Sequence, residues 1–480
     1  MRFLKHFCKR NLLLWFLTLS YAQFMLKLVC GASISQIEKA LETSFFRLWF
    51  FKHNFTNFSS LKFDMELSLS NDGSATQEGL ERIFYKMIRG INVTMVVFGG
   101  SCSRGAELGC LSSYCTYHYA LGAWWNSVIA PITGSFLKRK VLAVGGTGST
   151  YYGHCWEEYI IPNYEIDIVL WEFCINDPDS YDYGRGLEKL VRSILLYKSK
   201  PALIFVQFFS SSILTIDGGN VLTPTWEYKL STIATLSQHY KFTTIDLLSS
   251  VANRVNDTSN KRLFLSEMFN GDHPSHLAHA QTAFILLTYI RKHFLYNLKN
   301  KIKNGVLKTA QLNNNFTKKK MFPKKLTTAL DVPSTCWTAV LPDFRFIIRH
   351  DLYNLTVLRN SGFIKHKRHL WKQADAIRHD VRGGYFAYHS KSTLSLKFNI
   401  EGKIERNIYI AVSHQQNGGL TVFTISNLLG LNHNKVLIDC SRHSFKAMDV
   451  HPLGRFPAGK TTINVFTITG GCELNAIIIE

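Results

Sequence analysis

Acidic residues are scarce in this sequence. Aspartate and glutamate number 34 against 55 lysines and arginines, which gives a formal net charge of +21 over 480 residues. Such a positive excess fits an anionic lipid surface, an acidic polymer or simple solubility. The spacing of a C2H2 zinc finger, the signature of an RNA-recognition motif and a basic region with heptads are all absent, so no nucleic-acid partner is expected.

Other absences narrow the class of protein further. No Cys-x-x-Cys pair occurs, so no zinc site is expected, and neither a metal nor a cofactor is predicted. Beyond the N-terminal segment, no stretch is long and apolar enough to span a bilayer. The apolar fraction of 46% argues against a disordered chain, and the length predicts two or more domains.

Segment 1–32 has the composition of a targeting sequence. Residues 1–10 are basic, and residues 11–28 are largely apolar with interruptions at Ser20, Gln23 and Lys27. This order is typical of a secretory signal peptide, with a small-residue cleavage site near Ala22, or of an uncleaved signal anchor. We therefore expect a secreted or lumenal (ER or Golgi) protein, attached to the membrane if this segment is retained.

Two further patterns agree with an oxidising compartment. Sequons for N-glycosylation occur at Asn54, Asn57, Asn92, Asn256, Asn315 and Asn354. The cysteines beyond the N-terminal segment form an even set, which predicts disulfides whose pairing cannot be derived from the sequence: Cys102, Cys110, Cys115, Cys155, Cys174, Cys336, Cys440 and Cys472.

Short apolar strands alternate with helical segments across residues 92–297. The strands are predicted at 95–98, 141–144, 166–173, 202–206 and 242–246. This alternation indicates a parallel sheet with helices on both faces, hence an α/β domain. Segment 33–91 is predicted to be an N-terminal extension that ends in a helix.

The remaining third of the chain changes character twice. Segment 298–335 is rich in lysine and is predicted to be an exposed linker, with a contact for an anionic polymer or membrane surface as the alternative. From 336 to 480, short alternating strands with Gly-rich turns predict an antiparallel β-sandwich. Trp337, Trp371, Tyr385 and Tyr388 in this domain could stack on sugar rings, although such aromatics are more often core.

Four polar blocks occur at corresponding places in the α/β region. Three follow predicted strands and the fourth precedes the last helix: Gly99-Gly100-Ser101, Gly145-Gly146-Thr147-Gly148, Glu172-Phe173-Cys174-Ile175-Asn176-Asp177 and Asn270-Gly271-Asp272-His273-Pro274-Ser275. Ligands of open parallel sheets bind at the carboxyl ends of the strands. A serine becomes nucleophilic when a neighbouring base accepts its proton, and histidine has a suitable pKa for that role.

With these four blocks in this order, residues 93–294 resemble the SGNH (GDSL-like) hydrolases. The resemblance implies a flavodoxin-like three-layer α/β/α domain, with Ser101 as nucleophile and His273 as general base. Donors to the oxyanion of acyl transfer would be the backbone N–H of Ser101, a glycine N–H from Gly146 or Gly148, and the Asn176 side-chain amide.

The sequence departs from the family pattern at three positions. The first block has Gly100 where the family has Asp, and Cys174 stands where the third block usually has Gly. The family's triad acid lies three residues before the histidine, and Asn270 occupies that position. Asp272, Glu267 if its loop folds back, or a backbone carbonyl supporting a Ser-His dyad are the candidates to replace it.

Each block also has a non-catalytic interpretation. Asn176-Asp177 followed by proline could form a simple turn, the Gly145–Gly148 loop a tight turn without a ligand, and His273 could serve only to begin a helix. Cys102 beside Ser101 offers a thiol alternative, although a secreted cysteine is more often disulfide-bonded.

The sequence as a whole predicts a secretory-pathway serine esterase of SGNH type. Its substrate would be an acyl ester, with acetyl favoured, on a carbohydrate, cleaved through a Ser101 acyl-enzyme with His273 as base. The alternatives are a carbohydrate O-acyltransferase and a catalytically silent SGNH scaffold that binds glycans, the latter prompted by Asn270.

Overall fold

The computed structural model describes about two thirds of the chain, in segments separated by gaps. The described residues are 33–42, 68–69, 72–105, 115–177, 183–211, 224–251, 264–303, 324–326, 334–342, 348–366, 383–402, 404–414, 418–427, 434–441 and 448–480. The predicted targeting segment 1–32, Trp371 and most of the Lys-rich segment 298–335 lie outside them. None of the described helices is long and apolar enough to cross a bilayer.

The described helices lie almost entirely in the N-terminal two thirds of the chain. They are α1 Ile34–Glu42, α2 Ser74–Ile88, α3 Ser101–Arg104, α4 Tyr117–Trp124, α5 Ala130–Thr133, α6 Ser149–Cys155, α7 Tyr183–Leu196, α8 Pro224–Tyr240, α9 Leu247–Val251 and α10 His276–Lys303. A π-helical turn, Trp125–Ile129, joins α4 to α5, and 3-10 turns occur at Trp156–Tyr159 and Leu352–Asn354.

The strands separate into an N-terminal and a C-terminal set. The first comprises β1 Val93–Gly99, β2 Leu137–Ala143, β3 Ile168–Glu172, β4 Ala202–Gln207, β5 Thr243–Asp246, β6 Phe269–Asn270 and β7 His273–Pro274. The second comprises β8 Thr335–Thr338, β9 Thr356–Ser361, β10 Phe363–His366, β11 Gly384–Ala387, β12 Thr393–Ile400, β13 Arg406–Ser413, β14 Leu420–Asn427, β15 Asn434–Asp439, β16 Met448–Phe456, β17 Gly459–Thr467 and β18 Cys472–Ile479.

The N-terminal domain is built on a parallel sheet. Its strands lie in the order β2-β1-β3-β4-β5. Alternate residues of β1 point to opposite faces of the sheet. Met95 and Val97 pack in the core with α2, α4 and α10, whereas Val96 and Phe98 pack in the core with α6 and α7. This strand order is that of flavodoxin-like folds, so the predicted three-layer α/β/α architecture is confirmed.

The C-terminal domain consists of two antiparallel sheets. One has the order β10-β11-β18-β13-β16, with β8 also paired to β18, and the other has the order β15-β14-β17-β12-β9. Apolar side chains such as Leu396, Ile410 and Phe423 fill the space between the sheets. A disulfide joins Cys440 to Cys472 within this core. The predicted β-sandwich is therefore confirmed.

The two domains share a continuous apolar core. Ala411 and Ile478, on the outer face of the first sandwich sheet, pack in the same cluster as Leu190 of α7. Cys155, the last residue of α6, forms a disulfide with Cys336 of β8 across a sequence separation of 181 residues. Strand β18 is buried along its whole length because both of its faces are covered.

Buried polar contacts reinforce this junction. Lys189 of α7 forms an ion pair with Glu480, whose side chain is almost completely buried. The Tyr409 hydroxyl donates to Oε2 of Glu480 at 2.9 Å, and the Tyr159 hydroxyl donates to the carbonyl oxygen of Val340 at 2.8 Å. The Lys189–Glu480 and Tyr159–Val340 contacts, together with a hydrogen bond of 3.2 Å from the Arg185 guanidinium to the Tyr409 hydroxyl, join the two domains and fix their orientation, whereas the Tyr409–Glu480 contact lies within the C-terminal domain.

The structure departs from the sequence-based expectations in some local features. Helix α4 is not predicted because it is buried on nearly all sides and so lacks a polar face. Helix α10 continues past Phe294 to Lys303. Cys102 and Cys174 are buried thiols rather than members of disulfides, and they lie in the cores on opposite faces of the sheet. Tyr385 is core, whereas Tyr388 is about half exposed.

Candidate active site

Ser101 lies where the strand order of the parallel sheet reverses. Strand β1 ends at Gly99, and Ser101 opens the four-residue helix α3 directly after Gly100. The neighbours of β1 are β2, which follows it in the chain, and β3. The crevice at such a reversal is the usual ligand site in open α/β sheets. Ser101 is partly exposed there, as a nucleophile must be.

His273, which is 172 residues further along the chain, contacts Ser101. Nε2 of His273 lies 2.8 Å from Oγ of Ser101, which is within hydrogen-bond distance. His273 belongs to a minimal hairpin in which it pairs with Asn270. Gly271, the first of the two turn residues, has a φ of +61°, a backbone conformation that glycine adopts without strain. The hairpin thus presents the imidazole to the serine.

Asn176 belongs to a turn that follows β3. The backbone N–H groups of Asn176 and Asp177 both donate to the carbonyl oxygen of Phe173 at 2.9 Å. Nζ of the buried Lys229 donates to the carbonyl oxygens of Cys174 at 3.0 Å and of Asp177 at 2.7 Å, and so ties the turn to α8. The turn given as the non-catalytic interpretation of this block is present, and within it the Asn176 side chain lies against Gly100, the residue before Ser101.

Gly100 allows Asn176 to approach the nucleophile. A Cβ built on Gly100 would lie 1.6 Å from Oδ1 of Asn176, which no side chain could tolerate. The asparagine therefore occupies space that any other residue at position 100 would fill. The SGNH family has Asp at this position in its Gly-Asp-Ser block, whereas the Gly100 of this chain is required by the close approach of Asn176.

The Gly146–Gly148 loop retains unbonded N–H donors beside the serine. The N–H of Thr147 donates within the loop to the carbonyl oxygen of Val144 at 3.2 Å. Among the described residues, the backbone N–H groups of Gly146, Gly148 and Ser101 have no acceptor. The carbonyl oxygen of Gly146 accepts from the N–H of Met448 at 2.8 Å, so the β-sandwich touches this loop directly.

The candidates for the triad acid occupy different positions. The Asp272 carboxylate accepts from Oγ of Ser210 at 3.0 Å and, at a longer 3.4 Å, from Oγ of Ser211 in the segment after β4. Asn270 is exposed and lies directly across the hairpin from His273. Glu267 is partly buried, and its backbone carbonyl oxygen accepts from Oγ of Ser275 at 2.7 Å.

Two buried carboxyl groups beneath the site have no role predicted from the sequence. Burial raises the pKa of Glu172 to about 8, an effect opposed by the N–H groups of Gly100 and Ser103. Burial also raises the pKa of Asp177 to about 7, against the hydrogen bond from Ser149 and the charge of Lys229. Their positions in the third block, with Glu172 at the end of an apolar strand and Asp177 in the turn that follows, are the only sequence signal that distinguishes them.

Asp177 connects two of the four blocks. Its Oδ1 accepts from the N–H of Ser149, the first residue of α6, at 2.5 Å. A Cβ on Gly148 would lie 2.4 Å from the same oxygen, so the glycine loop and the Asn176 turn are in close contact. A carboxylate at this helix end is also favoured by the helix dipole.

A buried shell of histidine and tyrosine supports α3 from behind. The Tyr117 hydroxyl lies 2.9 Å from Oγ of Ser103, and Nε2 of His118 lies 2.7 Å from the Ser103 carbonyl oxygen. Nδ1 of His279, one helical turn into α10, accepts from the N–H of Tyr117. Burial lowers the pKa of His279 to about 3, so this ring stays neutral. The sequence does not reveal this shell because it depends on α4.

The Cys102 thiol does not lie where a nucleophile could reach a substrate in the crevice. Its side chain is completely buried and belongs to the core that includes Tyr117 and Ala278. Cys174 is likewise buried, and burial raises the pKa of its thiol. Both thiols lie inside the protein, whereas Ser101 faces the crevice.

Comparisons with known proteins bear on the fold. No family model and no curated protein sequence matches this chain. Among solved structures, it is similar to a two-domain esterase (CEX) active on acetylated mannans, co-crystallised with mannopentaose, with a TM-score of 0.59 and 16% identity over 87% of this chain and 98% of that one. A second structure of a two-domain esterase (CEX) gives a TM-score of 0.58 and 17% identity over the same shares. The likeness confirms the two-domain architecture and agrees with the resemblance to the SGNH hydrolases.

Proposed function

We propose that this protein is a serine esterase of SGNH type that removes an acyl group, acetyl in the first instance, from a carbohydrate. The observation that carries the proposal is the 2.8 Å distance between Oγ of Ser101 and Nε2 of His273 at the carboxyl end of the sheet. Around this pair lie N–H donors and an amide that match the needs of acyl transfer.

The mechanism uses these groups in two half-reactions. Oγ of Ser101 attacks the ester carbonyl carbon while its proton passes to Nε2 of His273, and the imidazolium then protonates the departing sugar oxygen, which leaves as a hydroxyl when the bond from the carbonyl carbon to this oxygen breaks. The oxyanion accepts hydrogen bonds from the N–H groups of Ser101 and of Gly146 or Gly148 and from the Asn176 amide. Water activated by His273 then attacks the acyl-enzyme, acetate leaves and the serine proton returns. Each oxyanion donor contributes about 3–4 kcal/mol to lowering the barrier.

A carbohydrate ester is the substrate class with most support. The similar solved structures are described as an esterase active on acetylated mannans, one of them holding mannopentaose. The chain shares with them a second domain, and here that domain contacts the oxyanion loop through Met448. We further propose a secreted or lumenal location, because the protein contains buried disulfides, which are typical of oxidising compartments.

A fluorophosphonate probe combined with acetate release from acetylated mannan tests the proposal. Wild type should be labelled and should release acetate. Ser101→Ala and His273→Ala should lose labelling, with a fall in kcat of about 10³-fold or more. His389→Ala, which changes an exposed histidine of the β-sandwich, is the matched control and should behave as wild type. A folded wild-type protein without labelling would overturn the proposal and favour a silent glycan-binding scaffold.

The O-acyltransferase alternative differs only in the acceptor. In that case a sugar hydroxyl, rather than water, attacks the acyl-enzyme. To distinguish the esterase from the transferase, a radiolabelled acyl-enzyme is mixed with manno-oligosaccharide in water. Label recovered as free acetate supports the esterase, and label recovered on the oligosaccharide supports the transferase.

A further inference from the structure

Two histidines and an aspartate converge at one edge of the β-sandwich, in the described part of the C-terminal domain. His414 follows β13, and Asp449 and His451 are alternate residues of β16, the edge strand paired with β13. One ligand atom from each side chain can be chosen so that all lie within 4.8 Å of one another. Nε2 of His414 lies 2.8 Å from Oδ2 of Asp449.

Three imidazole nitrogens of this cluster are buried and make no hydrogen bond to a described residue, although one of them, Nε2 of His414, lies at ion-pair distance from Asp449. Nδ1 and Nε2 of His414 and Nε2 of His451 make no hydrogen bond of acceptable geometry to any described residue. The His414 side chain is only 9% exposed. Buried polar atoms are nearly always satisfied in folded proteins, so orphaned nitrogens that face a carboxylate indicate a missing partner.

We propose that His414, Asp449 and His451 form a binding site for a divalent transition-metal ion of the zinc class. Two imidazoles and one carboxylate are a donor set suited to Zn²⁺, and a water molecule would complete four-coordination. In a tetrahedral site with bond lengths of about 2.0–2.1 Å the ligand atoms lie roughly 3.3 Å apart. The ligand atoms of the three side chains lie within 4.8 Å of one another here, so a bound ion would draw them closer together.

A simple ion pair explains the cluster less well. The Asp449 carboxylate contacts Nε2 of His414 at 2.8 Å, and the two rings approach each other with centroids 6.1 Å apart. This ion pair leaves Nδ1 of His414 and Nε2 of His451 buried without a hydrogen bond to any described residue. A cation between the three side chains satisfies all of them at once.

The site also lies close to the region proposed for catalysis. Met448, the residue before Asp449, donates its N–H to the carbonyl oxygen of Gly146 in the glycine loop. A metal that fixes β16 would therefore also fix the backbone contact to that loop. The binding proposal itself does not depend on the esterase activity, because its test measures metal binding directly.

Titration of the full-length, untagged, chelator-treated protein with Zn²⁺ by calorimetry and with Co²⁺ by visible absorption tests the proposal. We expect a high-affinity site with one ion per chain and Co²⁺ bands of four-coordinate intensity. His414→Ala and His451→Ala should each weaken binding at least 100-fold. His389→Ala, an exposed histidine of the same domain, should leave the affinity unchanged.

Asp449→Asn guards against loss of folding, because it preserves shape while removing the charge. Saturating Zn²⁺ should raise the thermal midpoint of wild type, and this increase should disappear in Asp449→Asn. Equal Zn²⁺ affinity in wild type and His414→Ala would overturn the proposal, as would a folded wild-type protein that binds neither ion.

Discussion

Gly100 and Asn176 lie so close that a single added carbon at position 100 would collide with the asparagine amide. We predict that Gly100→Ala displaces Asn176 and lowers kcat by about 10²–10³-fold, as expected for the loss of one oxyanion donor. Steady-state kinetics on an acetyl ester measure the effect. Because both changes remove the same donor, Gly100→Ala combined with Asn176→Ala should be little worse than either alone.

Gly122→Ala is the matched control for this prediction. A Cβ at Gly122 would meet only Cδ2 of Leu137, at an ordinary contact distance of 3.8 Å. That variant should retain wild-type kcat and stability. Full activity in Gly100→Ala would show that Asn176 does not act on the oxyanion.

We predict that an acid at position 270, which is paired with His273 in the β6–β7 hairpin, would act on His273. Residues directly opposite in a hairpin project to the same face, with Cβ atoms about 4.5–5.5 Å apart. Asn270→Asp should raise kcat/KM by about 10-fold or more, because a carboxylate there stabilises the imidazolium.

Asp272→Asn provides the contrasting variant. The Asp272 carboxylate is held by Ser210 and Ser211, so we expect a loss of less than about 10-fold. A loss of about 10³-fold or more in Asp272→Asn, with no gain in Asn270→Asp, would identify Asp272 as the acid instead.

Cys102 should be chemically silent in the native protein. Its thiol is completely buried, so we predict that iodoacetamide modifies it only after denaturation, as mass spectrometry of the labelled peptide would show. Cys102→Ala should keep fluorophosphonate labelling and change kcat by less than about 10-fold. Loss of both labelling and activity in a folded Cys102→Ala variant would instead support the thiol alternative.

Local patterns in the sequence predict the parallel sheet, and the position of Ser101 at its carboxyl edge, for a physical reason. Apolar runs identify the strands, and parallel strands bring their carboxyl ends to one edge, so Ser101, Gly146 and Asn176 had to be neighbours once the order was known. What local pattern cannot supply is the distance between side chains of separate segments. The collision of Gly100 with Asn176 depends on that distance.

The features missed by the sequence all depend on tertiary contacts. The Cys155–Cys336 pairing joins residues 181 positions apart, and even spacing gives no connectivity. His414 lies near Asp449 and His451 because β13 and β16 are paired. The proposed metal ligands therefore come from separate segments, and the sequence search, which looked for Cys-x-x-Cys, does not find them. Their only local trace is the alternate spacing of two residues on one strand.

The Cys155–Cys336 disulfide should stabilise the junction between the two domains. We predict that the Cys155→Ser/Cys336→Ser double variant loses about 2–4 kcal/mol of unfolding free energy, measured by urea denaturation. A Cys440→Ser/Cys472→Ser variant is the control, since that bond lies within the β-sandwich. Because α6 begins beside the glycine loop, only the first variant should also lower kcat. Equal effects of both variants on kcat would contradict this assignment.

The buried Glu172 should make stability fall as pH rises. Its pKa is about 8 in the folded protein and 4.5 in its unperturbed state, so between these values the folded protein holds a proton that the unfolded chain has released. Stability from this group is therefore complete below about pH 4.5 and is lost progressively toward pH 8. Asp177, with a pKa of about 7, acts in the same direction.

Glu172→Gln isolates this contribution because the amide keeps the shape of the protonated carboxyl and cannot ionise. We expect the variant to match wild type near pH 5 and to exceed it by on the order of a few kcal/mol at pH 8, in urea unfolding followed at both pH values. Thr288→Val is the control, because it removes a buried hydroxyl of α10 that is far in the sequence from Glu172 and Asp177. Its effect on stability should not vary with pH. Parallel pH dependence in wild type and Glu172→Gln would mean that Glu172 is ionised in the folded protein, with its charge stabilised by the N–H groups of Gly100 and Ser103.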